Sequence, residues 1–245
     1  KVIEEGVDGL GYRMSVIPAE AFFADYAILV EGPSELLLFK TLAAQLDIDL
    51  DRLNISVLCV DGVDFVTYIK ILNAMEIEWS MRTDNDIMKI PKRTMYRYAG
   101  VERALKCLEE GCNLTSNEKK IIEDNRKLLR GFNDPNAVPG ENEKAASAIR
   151  ELLDEYSIQT ANVDLETDML NSPLREALIE YYGGNGESDE EIIAEMQKHK
   201  GLNMYHFLQK KKDKLILLKD DRIAELLYDA KDYIEKNYGA DTDPA

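Results

Sequence analysis

The sequence predicts an α/β fold: a mainly parallel sheet flanked by helices, with a helical insertion. Three observations carry this expectation. Strand-like stretches at Ala27 to Val30, Asn54 to Val60 and Ile77 to Thr83 alternate with helical patterns, the βαβ rhythm of a parallel sheet. The rhythm stops after Asp86 and resumes with a strand at Ser157 to Val163. Acids follow these runs, at the carboxyl edge where open α/β sheets take their ligands.

In chain order, Lys1 to Asp25 holds Gly6, Gly9 and Gly11, then a short helical pattern after Pro18. The chain begins at Lys1 rather than Met and is expected to be a fragment, this stretch being the tail of something upstream. The first strand ends on Glu31 and turns through Gly32 and Pro33 into SELLLFKTLAAQL, with Gly at the cap and Pro at the first helical position. The second strand, NISVLCV, runs into Asp61-Gly62. A helix over Asp64 to Met75 then places Phe65, Tyr68, Ile69 and Leu72 on one face. Trp79, within the third strand, reads as packing.

Beyond Arg93, three helices are expected over Val101 to Glu110, Asn117 to Arg130 and Glu141 to Tyr156. Loop chemistry at GFNDPNAVPG separates the last two. After the Ser157 strand come a helix from Pro173 and a glycine-rich break at Gly183 to Gly186. Ser188 and Glu191 then form a capping box. Helices near Glu190 to Lys198, Asn203 to Lys214 and Ile223 to Asn237 close the chain, with fraying expected from Gly239.

With 47 acidic against 30 basic residues, the net charge of −17 has the wrong sign for simple electrostatic capture of nucleic acid. Binding to DNA would need acids charged by metal, with local bases holding the backbone. Lys89, Lys92, Arg93 and Arg97 follow the Asp pair at Asp84 and Asp86, and Lys210, Lys211, Lys212 and Lys214 cluster late; for the late cluster a solvated face is the favoured reading. Cys59, Cys107 and Cys112 show no paired metal spacing, and no run reaches the ~20 apolar residues of a membrane span. A cytoplasmic setting fits best. His199 and His206 read as surface or half-buried residues.

The candidate site is carboxylate. Glu31, Asp61, Asp84 with Asp86, and Asp164 with Glu166 stand at four strand ends, and Glu35 lies one helical turn beyond Glu31. Asp84 and Asp86, two apart on an extended segment, point the same way. Like charges brought to one edge repel unless something binds them, and hard oxygen donors suit Mg²⁺ or Mn²⁺. Seven carboxylates exceed the needs of one ion, so a two-metal site is the expectation. The plain alternative for Asp61 and Glu35 is a turn former or helix cap.

The stretch FFADYAILVEGPSE followed by RTDNDI resembles the Toprim domain, with its Glu-Gly after the first strand and Asp-x-Asp after the third. It looks most like the overcoming-lysogenization-defect (OLD) family of nucleases, and the likeness extends through NVDLETDM. The resemblance implies a Toprim nuclease domain over 26–96 and 157–240, a helical insertion at 97–156, and residues 1–25 as a connector from an absent N-terminal ABC-type ATPase. It implies a metal-dependent DNA endonuclease or nickase, with Glu31, Glu35, Asp84, Asp86, Asp164 and Glu166 as ligands to one or two Mg²⁺ or Mn²⁺ ions. It also implies a late lysine near the scissile phosphate, Lys198 or Lys200, of which Lys200 is chosen because Gly201 opens the turn. Anti-phage defence, homo-oligomers of the full-length protein and a helicase-like partner of the Gabija type belong to the same resemblance. A non-catalytic Toprim scaffold, or another Toprim enzyme such as a topoisomerase, primase or ribonuclease, is the alternative.

Overall fold

A computed structural model describes residues 19–60, 64–183 and 186–239. Asp61, Gly62 and the early glycines lie outside the described residues. The strands are β1 (Tyr26–Val30), β2 (Ile55–Cys59), β3 (Glu78–Thr83), β4 (Ile87–Lys89), β5 (Tyr96–Tyr98), β6 (Arg130–Phe132) and β7 (Ile158–Thr160). The helices are α1 (Pro33–Gln45), α2 (Phe65–Ala74), α3 (Ala99–Gly111), α4 (Ser116–Arg126), α5 (Gly140–Asp154), α6 (Leu165–Leu170), α7 (Arg175–Tyr182), α8 (Asp189–Gln197), α9 (Lys200–Lys211) and α10 (Arg222–Tyr238). Four strands form a mainly parallel sheet in the order β2-β1-β3-β7, and β4-β5-β6 form a second sheet.

Two compact units divide the chain, one from the residues up to Ser80 together with those from Leu165, the other from Met81–Asp164. In the first, β1 is buried along its whole length and pairs in parallel with β2, Tyr26 opposite Ile55 and Val30 opposite Cys59. Burial on both faces explains why YAILV is a continuous apolar run rather than an alternating one. Leu38, Phe39, Leu42 and Ala43 of α1 pack against that core at helical spacing, as do Ile223, Leu226, Leu227, Ala230 and Ile234 of α10. Asp64 caps α2, and the predicted Ser188–Glu191 capping box opens α8.

In the second unit, β3 pairs in parallel with β7, Met81 opposite Ile158 and Thr83 opposite Thr160, so the expected return of the chain to the sheet at Ser157 is realised. The intervening segment is not purely helical, which corrects the sequence reading. The predicted helix to Arg130 ends at Arg126, and β6 follows a 3-10 turn over Lys127–Leu129. β4, β5 and β6 are antiparallel, each three residues long, too short for alternation to declare them. Two arginines facing each other across β5 and β6, Arg97 and Arg130, both bond to Glu102 of α3, which clips the small sheet to that helix.

Candidate functional site

In the first unit, Glu31 follows β1 directly and is half-buried. Gly32 caps α1 with extended backbone, and Glu35 Oε2 accepts from the Gly32 N–H at 2.8 Å. That is the reach-back half of a capping box, so Glu35, 4 % exposed, performs the capping role weighed for it from sequence. Glu166 is not at a strand end: Leu165 already begins α6, which puts Glu166 in a helical first turn. Its side chain is 2 % exposed, and Lys200 Nζ donates to its Oε2 at 3.1 Å.

The structure also separates the two candidate lysines. Lys198 pairs with Glu195 of its own helix end, at 2.7 Å and well exposed on both sides. Lys200 opens α9, where His199 adopts a left-handed backbone with φ 49°. A Cβ on Gly201 would stand 3.3 Å from the Pro33 ring, so the missing side chain lets the start of α9 lie against the start of α1. A cation in a helix's first turn opposes the helix dipole, so the local sequence gives Lys200 no helix-stabilising reason to be there. Its partner across space is Glu166. Burial pushes the nearby Tyr182 phenol up, and Tyr181, Glu195 and Glu166 push it further; its hydroxyl donates to the Asn203 carbonyl at 3.2 Å.

This arrangement gives a direct test. Lys200→Ala is expected to lower stability by about 1–3 kcal/mol, because the buried Glu166 carboxylate loses a charge-assisted partner. Lys198→Ala should stay within about 0.5 kcal/mol. Equal urea midpoints for the two variants would show that the Glu166 pair is not a stabilising contact.

In the second unit, the residues after β3 are held from several sides. Ala161 N–H donates to the Thr83 carbonyl at 2.9 Å, Asn85 N–H to the Val163 carbonyl at 2.9 Å, and Asn85 Nδ2 to the Asn162 carbonyl at 3.1 Å. Asn85 is therefore buried while Asp84 and Asp86 on either side are half-exposed, the alternation expected of an extended segment. The same bonds lay the segment leading to Asp164 alongside. From α3, Arg103 donates through Nε to Thr83 Oγ1 at 2.8 Å, and through a terminal nitrogen to the Asp84 carbonyl at 3.2 Å and to Asp86 Oδ2 at 2.9 Å. The N–H groups of Ala99 and Gly100 donate to the Asp86 carbonyl at 2.7 and 3.1 Å. Gly100 touches the segment so closely that a Cβ there would stand 2.1 Å from the Asp84 carbonyl oxygen.

Arg103 and Gly100 were not singled out from sequence. They lie 17 and 14 residues from Asp86, with nothing in their local pattern to distinguish them (103 − 86 and 100 − 86). Of the runs of basic residues, Arg97 is bound to Glu102, Lys211 pairs with Glu180 at 2.6 Å, and Lys210 stands over the Tyr181 ring at 5.8 Å.

The donor chemistry, all carboxylate oxygen, fits a hard divalent ion. Among the described residues, no three His, Cys, Asp or Glu side chains gather closely enough to hold one by themselves. Asp86 and Glu166 instead face protein cations, Arg103 and Lys200. No helix among the described residues is long and apolar enough to cross a membrane.

Comparison with known proteins follows the same lines. The chain is 27% identical over 209 residues to the Endonuclease GajA of Bacillus cereus (strain VD045), which covers 82% of this chain and 34% of that protein. It thus spans about a third of the relative's length. It superposes on the C-terminal region of the Burkholderia pseudomallei OLD protein with a TM-score of 0.50 at 20% identity, covering 86% of this chain and 99% of the other. On the C-terminal region of the Xanthomonas campestris pv. campestris OLD protein the TM-score is 0.49 at 20% identity, covering 91% and 99%. The Burkholderia likeness is one of fold, a mainly parallel sheet with helices on its flanks. Residues 22–86, which hold Glu31, Asp84 and Asp86, match the family model for the overcoming lysogenization defect protein-like TOPRIM domain.

Proposed function

We propose that this chain is the nuclease region of an OLD-family protein, a metal-dependent enzyme that nicks or cuts DNA. The observation that carries the reading is the segment Asp84 to Asp86: two half-exposed acids flank a buried Asn85, and α3 holds their backbone through Arg103 and Gly100. Five groups converge on three residues, more restraint than a solvent-facing turn requires, and catalytic ligands need such preorganisation.

The candidate ligands are Glu31, Glu35 and Glu166 in the first unit and Asp84, Asp86 and Asp164 in the second. Bound Mg²⁺ or Mn²⁺, one or two ions, would supply an activated water and charge neutralisation for phosphodiester hydrolysis. Arg103 sets the direction of the Asp86 carboxylate and fixes the Asp84 backbone. Lys200, exchanging Glu166 for a phosphate oxygen, supplies positive charge to the transition state. The likeness to an endonuclease over 82% of the chain supports DNA as substrate. The sequence resemblance to OLD nucleases is what suggests the finer reading: anti-phage defence, action alongside an ATPase domain and a helicase-like partner, and assembly as a homo-oligomer in the full-length protein.

A non-catalytic TOPRIM scaffold is favoured by one observation, that Asp86 and Glu166 are already neutralised by Arg103 and Lys200. Plasmid nicking in Mg²⁺ or Mn²⁺ decides between them. The wild type is expected to nick, and Glu31→Gln, equal in size but without the charge, to fall to background. A wild type inert with both metals, or a Glu31→Gln variant as active as wild type, would sink the nuclease assignment.

A further inference from the structure

Residues 87–98 hold four cations, Lys89, Lys92, Arg93 and Arg97, and no acid, in a chain with 47 acidic residues against 30 basic ones. The structure turns this stretch into the β4–β5 hairpin, Ile87 opposite Tyr98 and Lys89 opposite Tyr96. Its turn is closed by Ile90 N–H to the Met95 carbonyl at 2.8 Å and Arg93 N–H to the Ile90 carbonyl at 3.0 Å, with Lys92 in the left-handed region at φ 63°. Arg97 is spent on Glu102. Lys89, Lys92 and Arg93 are exposed and make no ion pair among the described residues. In so acidic a chain, three neighbouring cations without acidic partners point to a negatively charged ligand from outside the chain.

We infer that this hairpin is a docking surface for the phosphate backbone of duplex DNA, an inference that rests on the nuclease reading above and names where its substrate is held. β4 starts one residue after Asp86, and at about 3.3 Å per residue Lys89 stands about 10 Å further along the chain. That is about three base-pair steps of duplex at 3.4 Å each, a span that lets a backbone touching the Asp84–Asp86 segment run on to the hairpin. The cations point to phosphate rather than to bases, because lysine acts as a point charge and reads no sequence. The −17 chain repels DNA at long range, so a local positive finger also decides which face the duplex approaches.

The test is the salt dependence of duplex binding by the full chain, followed by fluorescence anisotropy with a labelled duplex in EDTA, where cleavage cannot interfere. The slope of log affinity against log salt is expected to become shallower by about 2.7 in the Lys89→Ala, Lys92→Ala, Arg93→Ala triple variant, at about 0.9 for each phosphate no longer neutralised. Lys92→Ala alone should cost about 0.9 of slope, which keeps the test decisive should the triple variant fold poorly. Exchanging the three residues among lysine and arginine should leave the wild-type slope. A triple variant with the wild-type slope overturns the hairpin assignment while leaving the nuclease reading in place; this is also the result if the hairpin binds an acidic protein instead. A wild type that binds no duplex at low salt, whether in EDTA or with Mn²⁺ present, overturns both.

Discussion

Gly100→Ala is expected to lower stability by about 3 kcal/mol or more and to abolish any cleavage that depends on Asp84 and Asp86. A Cβ at position 100 would stand 2.1 Å from the Asp84 carbonyl oxygen, 2.7 Å from the Asp86 nitrogen and 2.8 Å from the Asn85 Cα. All three are backbone atoms, so no flexible side chain can swing aside. Either the start of α3 or the Asp84–Asp86 segment must move. Movement of either breaks the bonds from Ala99 and Gly100 to the Asp86 carbonyl and pulls Arg103 off Thr83, Asp84 and Asp86. Gly32→Ala is the control. Gly32 has open space around its Cβ position and an ordinary extended φ of −140°, and should change stability by only about 0.5 kcal/mol. Urea unfolding of the two variants gives the comparison; Gly100→Ala as stable as Gly32→Ala would mean that α3 and the acidic segment are not locked together.

Asp84→Asn has the second large effect, on chemistry rather than on the fold. Nicking is expected to fall to background, while the melting temperature in EDTA changes little. One bond from Arg103 goes to the backbone carbonyl of Asp84 and survives the change, and asparagine fills the same space. The Arg103–Asp86 pair beside it is untouched by the change. Metal is expected to separate the two proteins further. An ion bound only by the folded state stabilises wild type by about 2.7 kcal/mol at a hundredfold excess over its dissociation constant, and the variant should lose most of that increment. Calorimetry with and without Mn²⁺ measures it. Lower stability in EDTA with nicking intact would identify Asp84 as a structural residue and move the metal site elsewhere.

Short strand-like runs and helical periodicity placed β1, β2, β3 and β7 and most of the helices, because what each buries is written in a few neighbouring residues. The same local logic found Glu31 after β1, the Asp84–Asp86 pair after β3 and the Ser188 cap. It overextended in two places. Glu166 read as the end of a strand because Val163 and Leu165 precede it with apolar residues, yet the chain has already entered α6. β4, β5 and β6 went unseen because three residues hold barely one cycle of alternation, and what makes them strands is their pairing with one another.

The sequence by itself determined that Glu31 follows the first strand and that Asp84 and Asp86 follow the third, since strand, turn and cap are decided over a few residues. Only the tertiary structure decided what surrounds them. It put Arg103 and Gly100 under Asp84–Asp86, matched Lys200 rather than Lys198 to the buried Glu166, and left Lys89, Lys92 and Arg93 exposed while taking Arg97 for Glu102. Most of those partnerships join residues far apart in the chain, and their energies come from burial and charge pairing after the chain has closed. No spacing rule within a helix or a strand records them.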